Sequence, residues 1–293
     1  MSTPIRTAAA VLCAALLLAG CGGDDPAAPP PPEPTTSPAA TTPDTEPTTE
    51  PTDDQQETEA RAVYYLRDVQ PAGPRLYREF HARPATDDPV RDAVEAMLSE
   101  PPKDPDYTSL WPDGVDVLDV RVESGLATVD LSARAGEGSA GAVFEGVSLQ
   151  QLVHTVTAAD PSVQRVQLLV DGATRETLWG HVDVREPVER APQAEILGPI
   201  WIIEPGEGGS VPTGGEVSGV ATVFEATVSW QWVQDGRVVE EGFSTASEGA
   251  PGRGEWTAPV EVPPGDYELR AFSESAEDGS EMFVETKRVT VTG

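Results

Sequence analysis

The stretch Asp24 to Glu59 constrains this chain more than any other feature. Its 36 residues hold ten prolines and ten acidic residues, with no Lys, no Arg and no aromatic side chain. Such a composition cannot bury enough apolar surface to offset the entropy of ordering it. It predicts a disordered tether, extended by polyproline II preference and charge repulsion, reaching at most about 110 Å at ~3.1 Å per residue. Its Thr-Pro content would also permit O-glycosylation. Any packed core must therefore lie beyond it, and a chain of 293 residues leaves room there for two domains of ordinary size. The net charge of −31 excludes a nucleic-acid binder that works by phosphate neutralisation, and it argues against a basic patch on anionic lipid.

Ahead of the tether, Arg6 precedes an apolar run from Ala8 to Ala19, too short for a spanning helix and of the length of a signal-peptide core. The run ends Leu18-Ala19-Gly20-Cys21, which resembles the lipobox of bacterial lipoproteins. The resemblance implies cleavage before Cys21, a diacylglycerol thioether on its sulfur and an added acyl chain such as palmitate, with no intrachain disulfide left possible. Two acyl chains anchor durably where one does not. A plain secretory signal with an incidental cysteine is the competing reading. Cys13 and Cys21 are the only cysteines, so a disulfide scaffold and a four-thiolate zinc site are excluded.

Residues 61–187 carry mixed periodicities. Val63 to Leu66 and Leu76 to His81 read as strands. Asp88-Pro89 opens a helix whose Val90, Ala93, Val94, Met97 and Leu98 share one face, and Pro101-Pro102 stops it. Val115 to Val122 and Leu126 to Leu131 form a hairpin about Glu123-Ser124-Gly125. Ser148 with Gln151 reads as a capping box for a second helix ended by Asp160-Pro161, and Val163 to Val170 is a last strand. The order predicts an α+β domain of two layers, a largely antiparallel sheet with two helices.

Tyr64-Tyr65-Leu66, the helix Val90 to Leu98, Leu110 to Gly114, Gly125 to Leu131 and Val166 to Gly172 stand in the order of GerMN domains, which this segment resembles. That resemblance implies an assembly or self-association module akin to ring-building domains, found in sporulation, spore-germination and envelope lipoproteins. The family has no catalytic set to carry over.

Residues 195–293 show about seven β-rich runs separated by turns, among them Asp235-Gly236 and Asp278-Gly279, and alternation of Val228, Trp230 and Trp232 against polar neighbours. This predicts an all-β immunoglobulin-like sandwich held by apolar packing alone. The runs Ser218 to Ala226, Phe243 to Gly249 and Ser273 to Ser280 resemble the immunoglobulin-like domain of bacterial spore germination, which often follows a GerMN domain. Arg253-Gly254-Glu255-Trp256 is more polar than the aromatic-flanked glycine turn usual there.

Residues 1–20 are thus read as a lipoprotein signal peptide, 21–60 as the lipidated Cys21 with its linker, 61–187 as the α+β domain and 195–293 as the sandwich. Gly136-Glu137-Gly138-Ser139-Ala140-Gly141 matches a dinucleotide fingerprint literally, but its strand belongs to a hairpin, so a solvated glycine loop is the better reading. His81, His154 and His181 are scattered, with no HxxxH spacing, and His154 falls near the rim of the second helix's buried face. Asp87, Asp88 and Asp92 suit a helix start. Glu277, Asp278 and Glu281 lack the alternation of a calcium loop. No catalytic residue, cofactor site or metal site is assigned. Trp201 and Trp256 are the candidate ligand contacts, as a sugar-stacking platform, against core filling as the commoner role for such side chains.

The expected protein is a non-enzymatic lipoprotein on the extracytoplasmic face of the bacterial cell membrane. Its partners would be membrane lipid through Cys21 and an envelope protein or peptidoglycan. The alternatives are a peptidoglycan-binding protein, a cell-wall hydrolase or a regulator of one. The sequence leaves the partner, the oligomeric state and the domain arrangement open.

Overall fold

The structure, a computed structural model, describes residues 58–138 and 141–293. The signal segment, Cys21, the tether and the middle of the glycine loop lie outside the described residues.

The α+β region begins with a long antiparallel hairpin, β1 (Thr58–Val69) and β2 (Gly73–Pro84), in register with Tyr65 opposite Tyr77. Helix α1 (Pro89–Ser99) follows. Its N-cap Asp88 accepts from the Arg91 N–H, and Pro89 sits at the first turn, as the Asp-Pro pair predicts. Then come β3 (Val117–Glu123) and β4 (Leu126–Leu131), joined by Ser124 and Gly125 at φ 49° and 80°. Next are α2 (Ala142–Ala159), β5 (Arg165–Val170), the short pair β6 (Thr177–Leu178) and β7 (Val182–Asp183), and β8 (Val188–Glu189). The second sheet runs β3-β4-β5-β8, with β4 and β5 parallel and the other pairs antiparallel. The parallel pair follows from connectivity, since α2 carries the chain back before β5 starts.

Helix α2 departs from expectation at its start. It begins at Ala142 behind the N-cap Gly141, and Ser148 lies inside it, returning its hydroxyl to the Phe144 carbonyl at 3.0 Å rather than capping. From Val147 to Thr157 the helix is also largely enclosed. Val147, Leu149, Gln151, Leu152, Val153, His154, Thr155 and Val156 are all inside, enclosed by the β1–β2 hairpin, α1 and the four-stranded sheet. A helix hydrophobic all round has no amphipathic stripe from which its ends can be read. His154 accordingly sits in the core, 0% exposed, and not at a rim.

The short helix α3 (Gln193–Ile196) leads into the sandwich. One sheet has the order β10 (Ser210–Pro212), β16 (Glu281–Thr292), β15 (Gly265–Glu274), β12 (Thr227–Gln234), β13 (Arg237–Thr245). The other has the order β14 (Gly254–Pro259), β11 (Glu216–Ala221), β9 (Ile200–Glu204). Val228, Trp230 and Trp232 point inward against Ile200, Val217 and Trp256 in one apolar core. Gly219 is required there: a Cβ on it would stand 2.0 Å from the Trp201 carbonyl oxygen and 2.6 Å from the Trp256 ring.

Candidate functional site at the domain junction

Charged side chains rarely occupy the inward register of a strand. On β16, Val289 and Val291 face the core, and the same alternation backward reaches Lys287, 4% exposed, and Glu285, 0% exposed. These two turn toward the α+β region. Glu285 accepts the Tyr107 hydroxyl at 2.5 Å and the Arg67 guanidinium, and it pairs with Lys287 at 2.9 Å. Lys287 also reaches the buried Asp104 carboxylate and donates to the Tyr107 oxygen at 2.6 Å. Asp106 accepts from Arg67 at 3.0 Å and from the Thr286 hydroxyl at 2.6 Å. Three carboxylates thus face two cations, and the links from Glu285, Thr286 and Lys287 to Arg67, Asp104, Asp106 and Tyr107 cross between β16 and either β1 or the 104–107 loop.

Burial pushes the Glu285 and Asp104 carboxyls up despite the adjacent cations. For Lys287 burial acts to lower the ammonium, but the Glu285 and Asp104 carboxylates outweigh it and hold it raised. Tyr107 and Tyr77 are driven well above the usual phenol range, first by burial and then by Glu285, so both stay neutral.

An aromatic stack runs beside this cluster. Tyr107 lies on Tyr77 with centroids 4.9 Å apart, and Tyr77 lies on Trp201 at 5.7 Å. Lys287 caps the Tyr107 end at 4.3 Å, and Arg253 caps the Trp201 end at 4.6 Å. Both capping cations come from the sandwich and both Tyr rings from the α+β region, so the stack clamps the two. Arg253 is anchored by the Gly198 carbonyl at 2.9 Å, and burial pushes it down to about 10, which leaves it charged at neutral pH. Gly198 itself admits no side chain, because a Cβ would stand 2.2 Å from the Tyr77 ring. The Phe283 N–H also bonds the Gln70 carbonyl at 2.9 Å, tying β16 to the β1–β2 turn.

The 104–107 loop is fixed from behind by His81. Its Nδ1 lies 2.7 Å from Glu100, and its Nε2 lies 3.2 Å from Glu79 and 3.1 Å from the Tyr65 hydroxyl. Glu79 in turn accepts the N–H groups of Lys103 and Asp104, each at 2.8 Å. The hydrogen bond to Glu79, opposed by burial and helped by Glu100, raises His81 above 6.5. A raised imidazole contributes stability that is complete below the unfolded value and is lost as pH rises through the folded one. Unfolding free energy is therefore expected to fall as pH climbs above 6.5, and His81→Gln should flatten that limb in denaturant titrations. An unchanged slope in the variant would remove His81 from this role.

A cavity of about 240 Å³ opens beside the stack, lined by Tyr77, Arg78, Phe80, Lys103, Trp201 and Glu204 among others. Lys103 and Lys287 are the two lysines of the chain, and both stand at this junction. The sequence candidates fall differently. Trp256, 2% exposed, fills the sandwich core, and Trp201, 7% exposed, is sandwiched between Tyr77 and Arg253, so neither offers an open face for stacking a sugar. His181 is held by Glu145 at 2.8 Å. Asp278 is spent on Ser280 and Glu281 on Arg270. Sequence reasoning missed the junction, although its signal was present: two opposite charges in the buried register of the last strand.

Residues 39–176 match the Germane family, described as sporulation and spore germination, and residues 199–280 match the Gmad2 family, described as an immunoglobulin-like domain of bacterial spore germination. A candidate lipoprotein of Clostridium perfringens is similar at 18% identity over 45% of this chain and 87% of that one, with a TM-score of 0.33. The tandem GerMN domains of the sporulation protein GerM from Bacillus subtilis align at 18% identity over 49% of this chain and 50% of theirs, with a TM-score of 0.38. The first of those domains alone aligns at 19% identity over 45% and 98%, with a TM-score of 0.36. No curated protein matches the chain.

Proposed function

From a chain that carries a Germane domain followed by an immunoglobulin-like domain of bacterial spore germination, we propose a lipid-anchored envelope protein that works as a rigid, non-catalytic adaptor. The observation that carries the reading is the junction. A binding or assembly protein gains from presenting two surfaces in one fixed geometry, because ordering costs are then met on folding and not on binding. The buried Glu285–Lys287–Asp104 cluster and the capped aromatic stack do that. The junction's carboxylates are engaged by Arg, Lys and Tyr. The family descriptions, sporulation and spore germination, support a role in that class.

The anchoring half of the proposal rests on sequence. No helix among the described residues is long and apolar enough to cross a membrane. Attachment would come from acylated Cys21, with the acidic tether lifting the folded part away from the bilayer on the extracytoplasmic side. Cys21→Ser should leave the protein unprocessed or release it from the membrane fraction. Processed protein retained normally in that fraction would overturn the anchor. Partner identity is best read by in-cell crosslinking with mass spectrometry from the folded part. Recovery of wall glycan in place of protein would favour direct peptidoglycan recognition instead, and lysis of wall substrate in a zymogram would refute the non-catalytic reading.

A further inference from the structure

An edge strand offers a row of unpaired backbone groups, and proteins normally blunt such edges with charge or repulsion. β3 is the free edge of the β3-β4-β5-β8 sheet. Within its sequence, Val117-Leu118-Asp119-Val120-Arg121-Val122-Glu123, the stretch Leu118 to Val122 is self-complementary about Val120, with opposite charges on either side of it and apolar residues beyond them. Laid antiparallel on a second copy with Val120 on the two-fold axis, Asp119 falls opposite Arg121 and Arg121 opposite Asp119. Leu118 falls opposite Val122 and Val122 opposite Leu118. From Leu118 to Val122 each charge meets its opposite and each apolar residue an apolar one, while at the ends of the paired stretch Glu123 falls beside Val117.

The same strand is unsatisfied in the single chain. Leu118 is 47% exposed and Val122 is 38% exposed, both unusual for aliphatic side chains beside a core. Arg121 is paired only with Asp119 of its own strand, at 2.7 Å, with 72% and 46% of their side chains open. A bulge between Val117 and Asp119 displaces Leu118, and Arg91 occupies the Val117 carbonyl at 3.0 Å, so the usable edge runs from Leu118 onward. The other long exposed edge, β13, makes the contrast. Arg237 to Thr245 also shows Val238, Val239 and Phe243 to solvent, but antiparallel self-pairing about its middle residue sets Glu241 against Glu241. Like charges directly opposite are destabilising. Paired about their middle residues, then, β13 sets like charges together and β3 is self-complementary from Leu118 to Val122.

We propose that β3 is a homodimerisation strand, pairing antiparallel with β3 of a second copy to make one continuous sheet across the two-fold axis. The contact is isologous and closed, so it yields dimers and no open filament. It is independent of how the chain is anchored, although attachment to a membrane would favour it by raising the local concentration.

Sedimentation of the full chain in detergent, across a concentration series, tests this directly. The wild type is expected to dimerise. Asp119→Arg sets Arg against Arg at two positions and should weaken the dimer by at least about tenfold, and Arg121→Asp should do the same with Asp against Asp. The double swap Asp119→Arg/Arg121→Asp restores both pairs with the charges exchanged and should recover the dimer to within about threefold. Both substituted side chains lie on the surface, so circular dichroism should be unchanged throughout. A wild type that stays monomeric, single swaps without effect, or a double swap that fails to restore association would each overturn the proposal.

Discussion

Lys287→Met is expected to lower the unfolding free energy by about 3–5 kcal/mol, because it strips a cation from a buried cluster that already holds more anions than cations. The neutral Glu285→Gln should cost less, about 1–2 kcal/mol, although Glu285 is the more deeply buried of the pair. The difference comes from charge count. With Lys287 gone, Glu285, Asp104 and Asp106 face Arg67 alone; with Glu285 neutralised, two carboxylates face two cations. The Lys287→Met deficit should also shrink on acidification. Burial already raises the Glu285 and Asp104 carboxyls, and removing the ammonium raises them further. A carboxyl whose folded value lies above its unfolded one binds its proton preferentially in the folded state, so stability is regained as pH falls toward the carboxylate range. Guanidinium titrations at pH 7 and pH 5 measure both effects. The wild type should unfold in a single transition, and Lys287→Met should split it as the sandwich and the α+β region come apart. A single transition with a loss below 1 kcal/mol at pH 7 would mean that the cluster does not couple them.

Much of this architecture was legible because local pattern and global fold agree. Asp88-Pro89, the Ser124-Gly125 turn, the Asp235-Gly236 turn and the alternation around Trp230 and Trp232 each state a local geometry that the tertiary structure keeps. β10 escaped because Ser210–Pro212 is three residues long with one apolar side chain, which carries no periodicity. The start of α2 escaped because nothing amphipathic marks a helix so largely enclosed, and its N-cap is a glycine without a side-chain hydrogen bond. The junction escaped for a different reason. Tyr107 and Glu285 are 178 positions apart, and Asp104 and Lys287 are 183 apart, so no window of sequence contains both partners. What a window does contain is Glu285-Thr286-Lys287, charged in the register that Val289 and Val291 bury. Such a pair is costly unless something pairs with it from outside the domain. Trp201 carried two readings, a ligand platform and the commoner core-filling role. An aromatic residue at a module boundary looks like a ligand platform, but its faces are taken by Tyr77 and Arg253.

His154 predicts an acid weakness opposite in sign to the behaviour of His81. The ring is fully enclosed beside Tyr64, at 5.2 Å between centroids, and neither nitrogen finds a hydrogen-bond partner. Burial, with a smaller contribution from Arg190, pushes it down to about 3 from 6.5. A group depressed in the folded state contributes stability that is complete above its unfolded value and is lost as pH falls toward the folded one. Between pH 6.5 and about 3 the unfolded chain takes a proton that the core refuses, a difference of about 4–5 kcal/mol at its limit. His154→Leu fills a similar volume without an ionisable group or an orphaned nitrogen. It should be more stable than the wild type by about 1–2 kcal/mol at pH 7, from removal of buried polar atoms left unpaired. Its advantage should then widen steadily as pH is lowered from 6.5 to 4. Since His154 packs on Tyr64, and Tyr64 on Trp201 at 6.4 Å, protonation would strike the core directly behind the junction. Acid unfolding of the wild type should therefore loosen the two modules early, whereas His154→Leu should hold them together to lower pH. Parallel thermal melts of the two proteins across that pH range decide the matter, and curves that stay a constant distance apart would show that His154 does not titrate with unfolding.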